Sequence, residues 1–343
     1  MPENKKKTKK IIVIILISVL SLISALLLTY FILYQHGKMQ FHKDDKNIVA
    51  SKEVEGLEID EDSISYNDKT YVLDKDVVSV LFMGIDKERI GNNLGYGKNG
   101  QADSIFVAAI NTKTNVIRLI PIQRETMVDV NTYSKDGKFI GTNREQVCLA
   151  FAYGDDAKKS CENVKTSVSR YLMGINISSY VAIDLDGVEV ITNKIGGVPL
   201  TAIESVPYND GRCAVGDNLL LKGKNARLYI QDRTDTLDGS TKRLQRQKQF
   251  LSAFASTAGN QILSDFTKLK SYYDSMVPYI STDLSFSQIS YLATACLTRD
   301  IGNIFEYETI EGNISKDGEY VEFTPDTDSL VSVIINCFYT EKK

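Results

Sequence analysis

The stretch that decides the fold is DSIFVAAINTKTNVIRLIPIQR, residues 103–124. Two apolar runs of strand length, SIFVAAIN (104–111) and VIRLIPI (116–122), meet across the polar turn NTKTN, which predicts a β-hairpin. Upstream, VVSVLFMGI (77–85) is a third run of the same kind. Taken as up, down, up, the three strands bring Asp86, Asp103 and Arg124 to one end of a sheet. Open α/β sheets bind ligands at such an end. Two carboxylates there suggest a divalent cation, and an arginine suggests phosphate, which a guanidinium holds through two parallel hydrogen bonds. The alternative is that Asp86 and Asp103 are ordinary acids at strand ends, where Asp is common.

The pattern continues outward as alternating elements. TNREQVCLAFAYG (142–154) and SCENVKTSVSRYLMG (160–174) read as helices, the second ending at Gly174. SYVAIDL (179–185) reads as a strand, and DGVEVITNKIGG as a short helix stopped by paired glycines. NLLLKGKNARLYIQDR starts extended and turns helical. Helices are expected at 240–258, 262–275, 285–297 and 326–338, with a strand at GEYVEFTP before the last. This alternation, without a linker, predicts one α/β domain around a central sheet over residues 76–340.

The N-terminus has a different character. A basic tail (1–10) containing KKKTKK precedes 24 uncharged residues, 11–34, long enough to cross a hydrocarbon core of about 30 Å. The run is longer than a signal-peptide core and no small-residue cleavage site follows it. The expectation is one transmembrane anchor with the basic tail in the cytoplasm. A polar stalk (35–75), with a short strand at KTYVL, and the domain would then lie outside. Without the five lysines and one glutamate of residues 1–34, 35 basic and 43 acidic residues remain, a net charge of −8. That balance argues against nucleic acid as a partner.

The two histidines, His36 and His42, both fall in the stalk. A domain without histidine excludes Ser-His-Asp and Cys-His catalysis and histidine-rich zinc sites. A metal would be held by carboxylates, hence a hard ion such as Mg²⁺ or Mn²⁺. Of the five cysteines, Cys148 with Cys161 is the first candidate disulfide and Cys296 with Cys337 the second, with free buried thiols as the alternative.

The helix that starts at STKRLQRQKQF (240–250) carries four cations of unlike placement. At 100° per residue, Leu244, Phe250, Leu251, Phe254 and Ala255 form an apolar arc. Arg243 and Gln247 fall inside that arc, Arg246 on its flank, and Lys242 and Lys248 point elsewhere as surface charges. An unpaired cation in the buried stripe and first turn of a helix is costly, so Arg243 requires an anion. That anion is either a neighbouring aspartate (Asp232, Asp235 or Asp238) or a bound phosphate.

Together these pieces resemble the LytR–CpsA–Psr family of cell-envelope proteins. The likeness runs from about Val77 to Tyr339 through VLFMGID, ADSIFVAAI, LIPIQRETMV, AFAYG, YVAIDLDGVEVITNKIGGV, LLLKGKNARLYIQDR and KRLQRQKQFLSAF. The resemblance implies a three-layer α/β/α sandwich with a central mixed sheet. It implies transfer of a glycopolymer from a polyprenyl-pyrophosphate carrier to peptidoglycan, with an apolar tunnel for the lipid. It also implies Mg²⁺ or Mn²⁺ at Asp86 and Asp103, catalytic roles for Asp103, Arg124 and Arg243, and pyrophosphate binding by Arg124, Arg233, Arg243, Arg246 and Gln247. This sequence departs from the pattern where Gln101 and Gln231 replace arginines, Gln123-Arg124-Glu125 replaces Pro-Arg-Asp, and Glu88 stands where an arginine is expected. Arg89 or Lys98 would have to substitute. The losses keep a second reading open: a polyprenyl-phosphate-binding regulatory protein that turns over slowly or not at all.

Overall fold

A computed structural model describes residues 31–41, 57–60, 62–90, 95–233, 239–297, 305–316 and 320–342. Its central sheet has six strands: β1 (Val77–Ile85), β2 (Ala102–Asn111), β3 (Val116–Ile122), β4 (Ser179–Ile183), β5 (Ile280–Thr282) and β6 (Phe305–Tyr307). They lie in the order β5-β4-β1-β2-β3-β6. The β1–β2 and β2–β3 pairs are antiparallel, β4 runs parallel to β1, and β6 runs parallel to β3. The up-down-up arrangement is therefore present, with β1 directly beside β2. Helices lie on both sides of the interior strands, which is why these runs are nearly continuous apolar sequence rather than alternating, although Phe82 of β1 is left partly exposed.

From Ala157 onward, among the described residues, seven α-helices are interleaved along the chain with these strands: α1 (Ala157–Tyr171), α2 (Leu185–Lys194), α3 (Lys224–Gln231), α4 (Gly239–Ser264), α5 (Thr267–Met276), α6 (Phe286–Leu297) and α7 (Thr327–Phe338). On one sheet face, Leu81, Met83, Ile105, Val107 and Ile120 pack against Val164 and Val168 of α1 and Val333 and Ile334 of α7. The other face meets α4, where Ser104 Oγ donates to Gln247 Oε1 at 3.2 Å and Tyr307 lies hydrogen-bonded to Ser252 at 2.9 Å. Helices thus lie against both faces of a mixed sheet.

Two compact units are present. In the smaller, helical residues 31–41 pack with Ser285–Thr294, and Tyr34 meets Tyr291 edge-on at 4.9 Å. Everything else described belongs to the larger. Residues 11–30 of the expected anchor lie outside the described residues; among those described, no helix is long and apolar enough to cross a membrane. Within the expected stalk, Leu57–Ile59, Ser63–Tyr66 and Lys69–Leu73 form a four-stranded sheet with Tyr339–Glu341. KTYVL is the strand expected there. Asn67 and Asp68, both at positive φ, make its two-residue turn.

Several expectations are corrected. Residues 142–146 are not helical: Phe139–Gln146 pairs with Met127–Tyr133 in a hairpin, and only VCLAFAY (147–153) winds, as a 3-10 helix. The isolated polar run TNREQ fits a half-exposed strand as well as a helix, and the partner strand decides it. The helix expected at 262–275 is divided. The Asp265 carboxylate accepts from the Thr267 amide at 3.1 Å, so α4 ends at Ser264 and α5 begins at Thr267. Lys248 is no surface charge. It is half-buried, lies 5.2 Å from the Tyr307 ring centre and donates to Thr309 at 3.1 Å. Burial lowers its pKa.

The Cys148–Cys161 disulfide is not formed: Cys148, Cys161, Cys213 and Cys337 are all free and buried. Cys148 faces the amide oxygens of Gln101 and Gln146 at 3.9 and 3.7 Å. Cys161 stands beside Ser281 and Asp283, and burial pushes its thiol up to about 12. The Cys296 side chain lies outside the described residues. Alkylating unfolded, non-reduced protein and mapping its peptides should find both Cys148 and Cys161 labelled; a linked Cys148–Cys161 peptide would contradict this arrangement.

Candidate functional site

The end of the sheet carries a cleft of about 310 Å³, whose lining includes Asp86, Asp103, Ser104, Arg124, Asp184, Gln231, Arg233, Arg243 and Gln247. Asp103 and Ser104 both line it, although consecutive strand residues ordinarily face opposite ways. A register shift explains this. Gly84 pairs with Ser104 and Ile85 with Ala102, so Asp103 is the extra residue of a β-bulge. Ala102 keeps its place in the core while Asp103 is turned out to the cleft. Gly84 suits the position opposite: a Cβ there would stand 3.1 Å from the Ser104 Cβ, so Ser104 would have to give by a few tenths of an ångström.

Asp103 is shared by two guanidinium groups. Arg124 Nη1 donates to its Oδ1, and Arg243 Nη1 donates to its Oδ2 at 3.2 Å. Arg243 Nη2 also reaches the Asp103 carbonyl at 3.4 Å. Arg124 is held on its other edges by Gln101 Oε1 at 2.5 Å and by Glu125, 3.5 Å from its Nε. Glu125 in turn accepts from Ser240 Oγ at 2.7 Å, tying the first turn of α4 to the end of β3. Arg243 is only 6% exposed; burial lowers its pKa, and the Asp103 charge opposes that shift. An anion for the buried cation that the helical wheel singled out is thus Asp103; Asp232 pairs with Arg212, and Asp235 and Asp238 lie outside the described residues. Burial pushes the Cys148 thiol beneath Arg124 up to about 11, so it is neutral at ordinary pH.

The remaining expected residues divide. Asp86 Oδ1 accepts from Gln231 Nε2 at 3.2 Å, and Arg233 is exposed along the cleft. Arg246 is not among the lining residues: it is buried and bonded to Tyr229, Asp232 and Glu204. Arg89 is engaged with the Tyr279 ring, the Pro278 carbonyl and Asp186, so it does not replace the missing arginines. Asp184 escaped the sequence reading. It follows β4, which is parallel to β1, so the signal that picked out Asp86, an acid just past a strand, was present there too. Its carboxylate caps α2 through the Gly187 amide at 2.7 Å, and burial raises its pKa.

Among the described residues, no three His, Cys, Asp or Glu side chains form a metal cluster. Asp86 and Asp103 on one cleft still suit a hard cation of the kind held by one or two carboxylates and completed by substrate phosphates. Beyond the charged end, Phe82 of the interior strand β1 is 38% exposed, and Phe250 and Phe254 of α4 stack at 6.2 Å while only half-buried. The fold therefore leaves apolar surface uncovered.

A family model, the LytR_cpsA_psr family, matches residues 31–334. The chain belongs to this family. Among similar proteins, the polyisoprenyl-teichoic acid–peptidoglycan teichoic acid transferase TagU of Bacillus subtilis (strain 168) is 23% identical over 216 residues, 63% of this chain and 62% of that protein. TagV of the same organism, named for the same activity, is 27% identical over 187 residues, 51% of this chain and 42% of that protein. The chain therefore spans less than two thirds of the length of these curated relatives. The crystal structure of B. subtilis TagV superposes with a TM-score of 0.62 at 22% identity, covering 77% of this chain and 97% of that one. A structure described as TagT bound to LI-WTA gives 0.57 at 18% identity, covering 86% and 96%. These LytR_cpsA_psr structures share the mixed α/β fold.

The shared carboxylate makes a prediction. Asp103→Asn leaves the buried Arg243 facing the half-buried Arg124 without their shared anion and should cost about 3–5 kcal/mol of stability. Added pyrophosphate should recover much of the loss. Thermal melting of the variant with and without pyrophosphate checks this; melting unchanged by the substitution would contradict the pairing.

Proposed function

We propose that this protein transfers a glycopolymer from a polyprenyl-pyrophosphate carrier to peptidoglycan at the outer face of the cell membrane. The observation that carries this reading is the convergence of Arg124 and Arg243 on Asp103 within one cleft. Two guanidinium groups fixed by one carboxylate are pre-set to take a second anion of similar geometry. The curated relatives named as teichoic acid transferases support the same reaction class. The uncovered phenylalanines support an apolar path for the lipid between the sheet and α4, as a third layer. Residues 11–34 would anchor the chain in the membrane with residues 1–10 in the cytoplasm.

In this mechanism Arg124, Arg233 and Arg243 hold the pyrophosphate. A hydroxyl of the peptidoglycan acceptor attacks the phosphorus that bears the glycopolymer. The bond from that phosphorus to the bridging oxygen breaks, and its electron pair leaves on polyprenyl phosphate. The arginines stabilise the charge that develops there, in a site they already occupy. A carboxylate of the cleft, Asp103 or Asp184, takes the hydroxyl proton. Mg²⁺ or Mn²⁺ at Asp86 and Asp103 would add charge neutralisation on the phosphates.

A second reading is favoured by Gln101 and Gln231. The cleft lining holds Arg124, Arg233 and Arg243 against Asp86, Asp103 and Asp184, so it carries no net positive charge of its own. Such a site could bind the lipid phosphate and turn over slowly, as a regulatory protein of the envelope. One assay separates the two. The full-length chain in detergent is incubated with a polyprenyl-pyrophosphate sugar and peptidoglycan fragments, with Mg²⁺ or with a chelator. Transfer should occur, fall on chelation, and fall about 10²–10³-fold in Arg243→Ala. Arg243-dependent lipid binding without transfer would establish the second reading. Transfer unaffected by both Arg243→Ala and Asp103→Ala would refute the site.

A further inference from the structure

Arg246 is 3% exposed, and two of its three hydrogen bonds go to backbone carbonyls around the exit of α3. Its Nε donates to the Tyr229 carbonyl at 3.0 Å, Nη2 to the Asp232 carbonyl, and Nη1 to the Glu204 carboxylate. The adjacent Gln247 donates Nε2 to the Ile230 carbonyl at 3.2 Å. The three carbonyl acceptors belong to the end of α3, where the Asp232 amide makes the closing bond to Leu228 and the chain turns extended at ψ 135°. The last carbonyls of a helix have no intrahelical donor, and a cation beside them is favoured by the helix dipole. Two consecutive side chains of α4 supply those donors. Glu204 balances the charge that Arg246 buries, and Arg212 holds the Asp232 carboxylate from outside at 3.2 Å.

Asp232 is flanked by two residues of the cleft. Gln231 holds Asp86, and Arg233 lies along the lining. We infer that Arg246, paired with Glu204, is a positioning residue: it fixes the exit of α3 so that Gln231 and Arg233 face the cleft, and it does not touch the bound anion. The inference rests on reading the cleft as a phosphate site. One planar fork serves three acceptors lying in different directions, which the single ammonium of lysine cannot reproduce. Arg243, four residues from Gln247 on the same helix, has the complementary job of facing the anion.

The test uses the full-length chain in detergent and inorganic pyrophosphate with Mg²⁺, followed by calorimetry. Arg246→Met and Arg246→Lys should each weaken binding about tenfold, the loss typical of removing a group that orients a ligating one. In a Gln231→Ala/Arg233→Ala background, the same changes should have less than about a twofold effect, because residues acting through one another are not additive. Equal losses in both backgrounds, or full retention by lysine, would overturn the inference. Hydrogen exchange supplies an independent readout: Arg246→Met should accelerate exchange of the Asp232 amide, and unchanged protection would also overturn it. If the unaltered chain binds no pyrophosphate, the phosphate reading of the cleft fails, and the exchange result decides the clamp on its own.

Discussion

One carboxylate held between a buried guanidinium, Arg243, and a half-buried one, Arg124, is the constraint on which this site depends. Asp103 neutralises Arg124 from the end of β3 and Arg243 from the first turns of α4. Without it, burying Arg243 in a helix face would be prohibitive. The bulge at Gly84/Ile85 exists at the point where Asp103 must leave the core face. Glu125, bonded to Ser240 and close to Arg124, joins the same two elements from behind. The sheet end and α4 are therefore fastened by charge at the place where ligand would enter.

The same arrangement sets the terms of binding. On the proposed function, an incoming phosphate would compete with Asp103 and Gln101 for guanidinium edges that are already occupied. Neutral amides at Gln101 and Gln231 orient Arg124 and Asp86 without adding charge. With three carboxylates set against three arginines in the lining, the pull on an anion comes from exchange of partners rather than from a standing positive field. A cation drawn to Asp86 and Asp103 would tilt that exchange toward the phosphate.

The sheet was legible because its strands are apolar runs separated by an unmistakable turn, and because strand direction alone collects Asp86, Asp103 and Arg124. Arg243 was legible from a helical wheel, which marked it as a cation in need of an anion. The wheel could not say that the anion was Asp103, a partner 140 residues away. Nor could it show Arg246 turning inward, because its partners on α3 and at Glu204 are set by tertiary packing. The hairpin of Met127–Tyr133 with Phe139–Gln146 was hidden for the same reason: its second strand has little apolar pattern of its own and is defined by the first. The disulfide failed because nearness in sequence says nothing about which neighbours each thiol faces.

The most direct measurement is a crystal structure of the chain with pyrophosphate and Mn²⁺. The account predicts phosphate oxygens seated between Arg124 and Arg243, with Gln101 or Asp103 displaced from at least one guanidinium and Arg246 still bonded to the end of α3. Pyrophosphate bound elsewhere, with Asp103 still paired to both arginines, would contradict it.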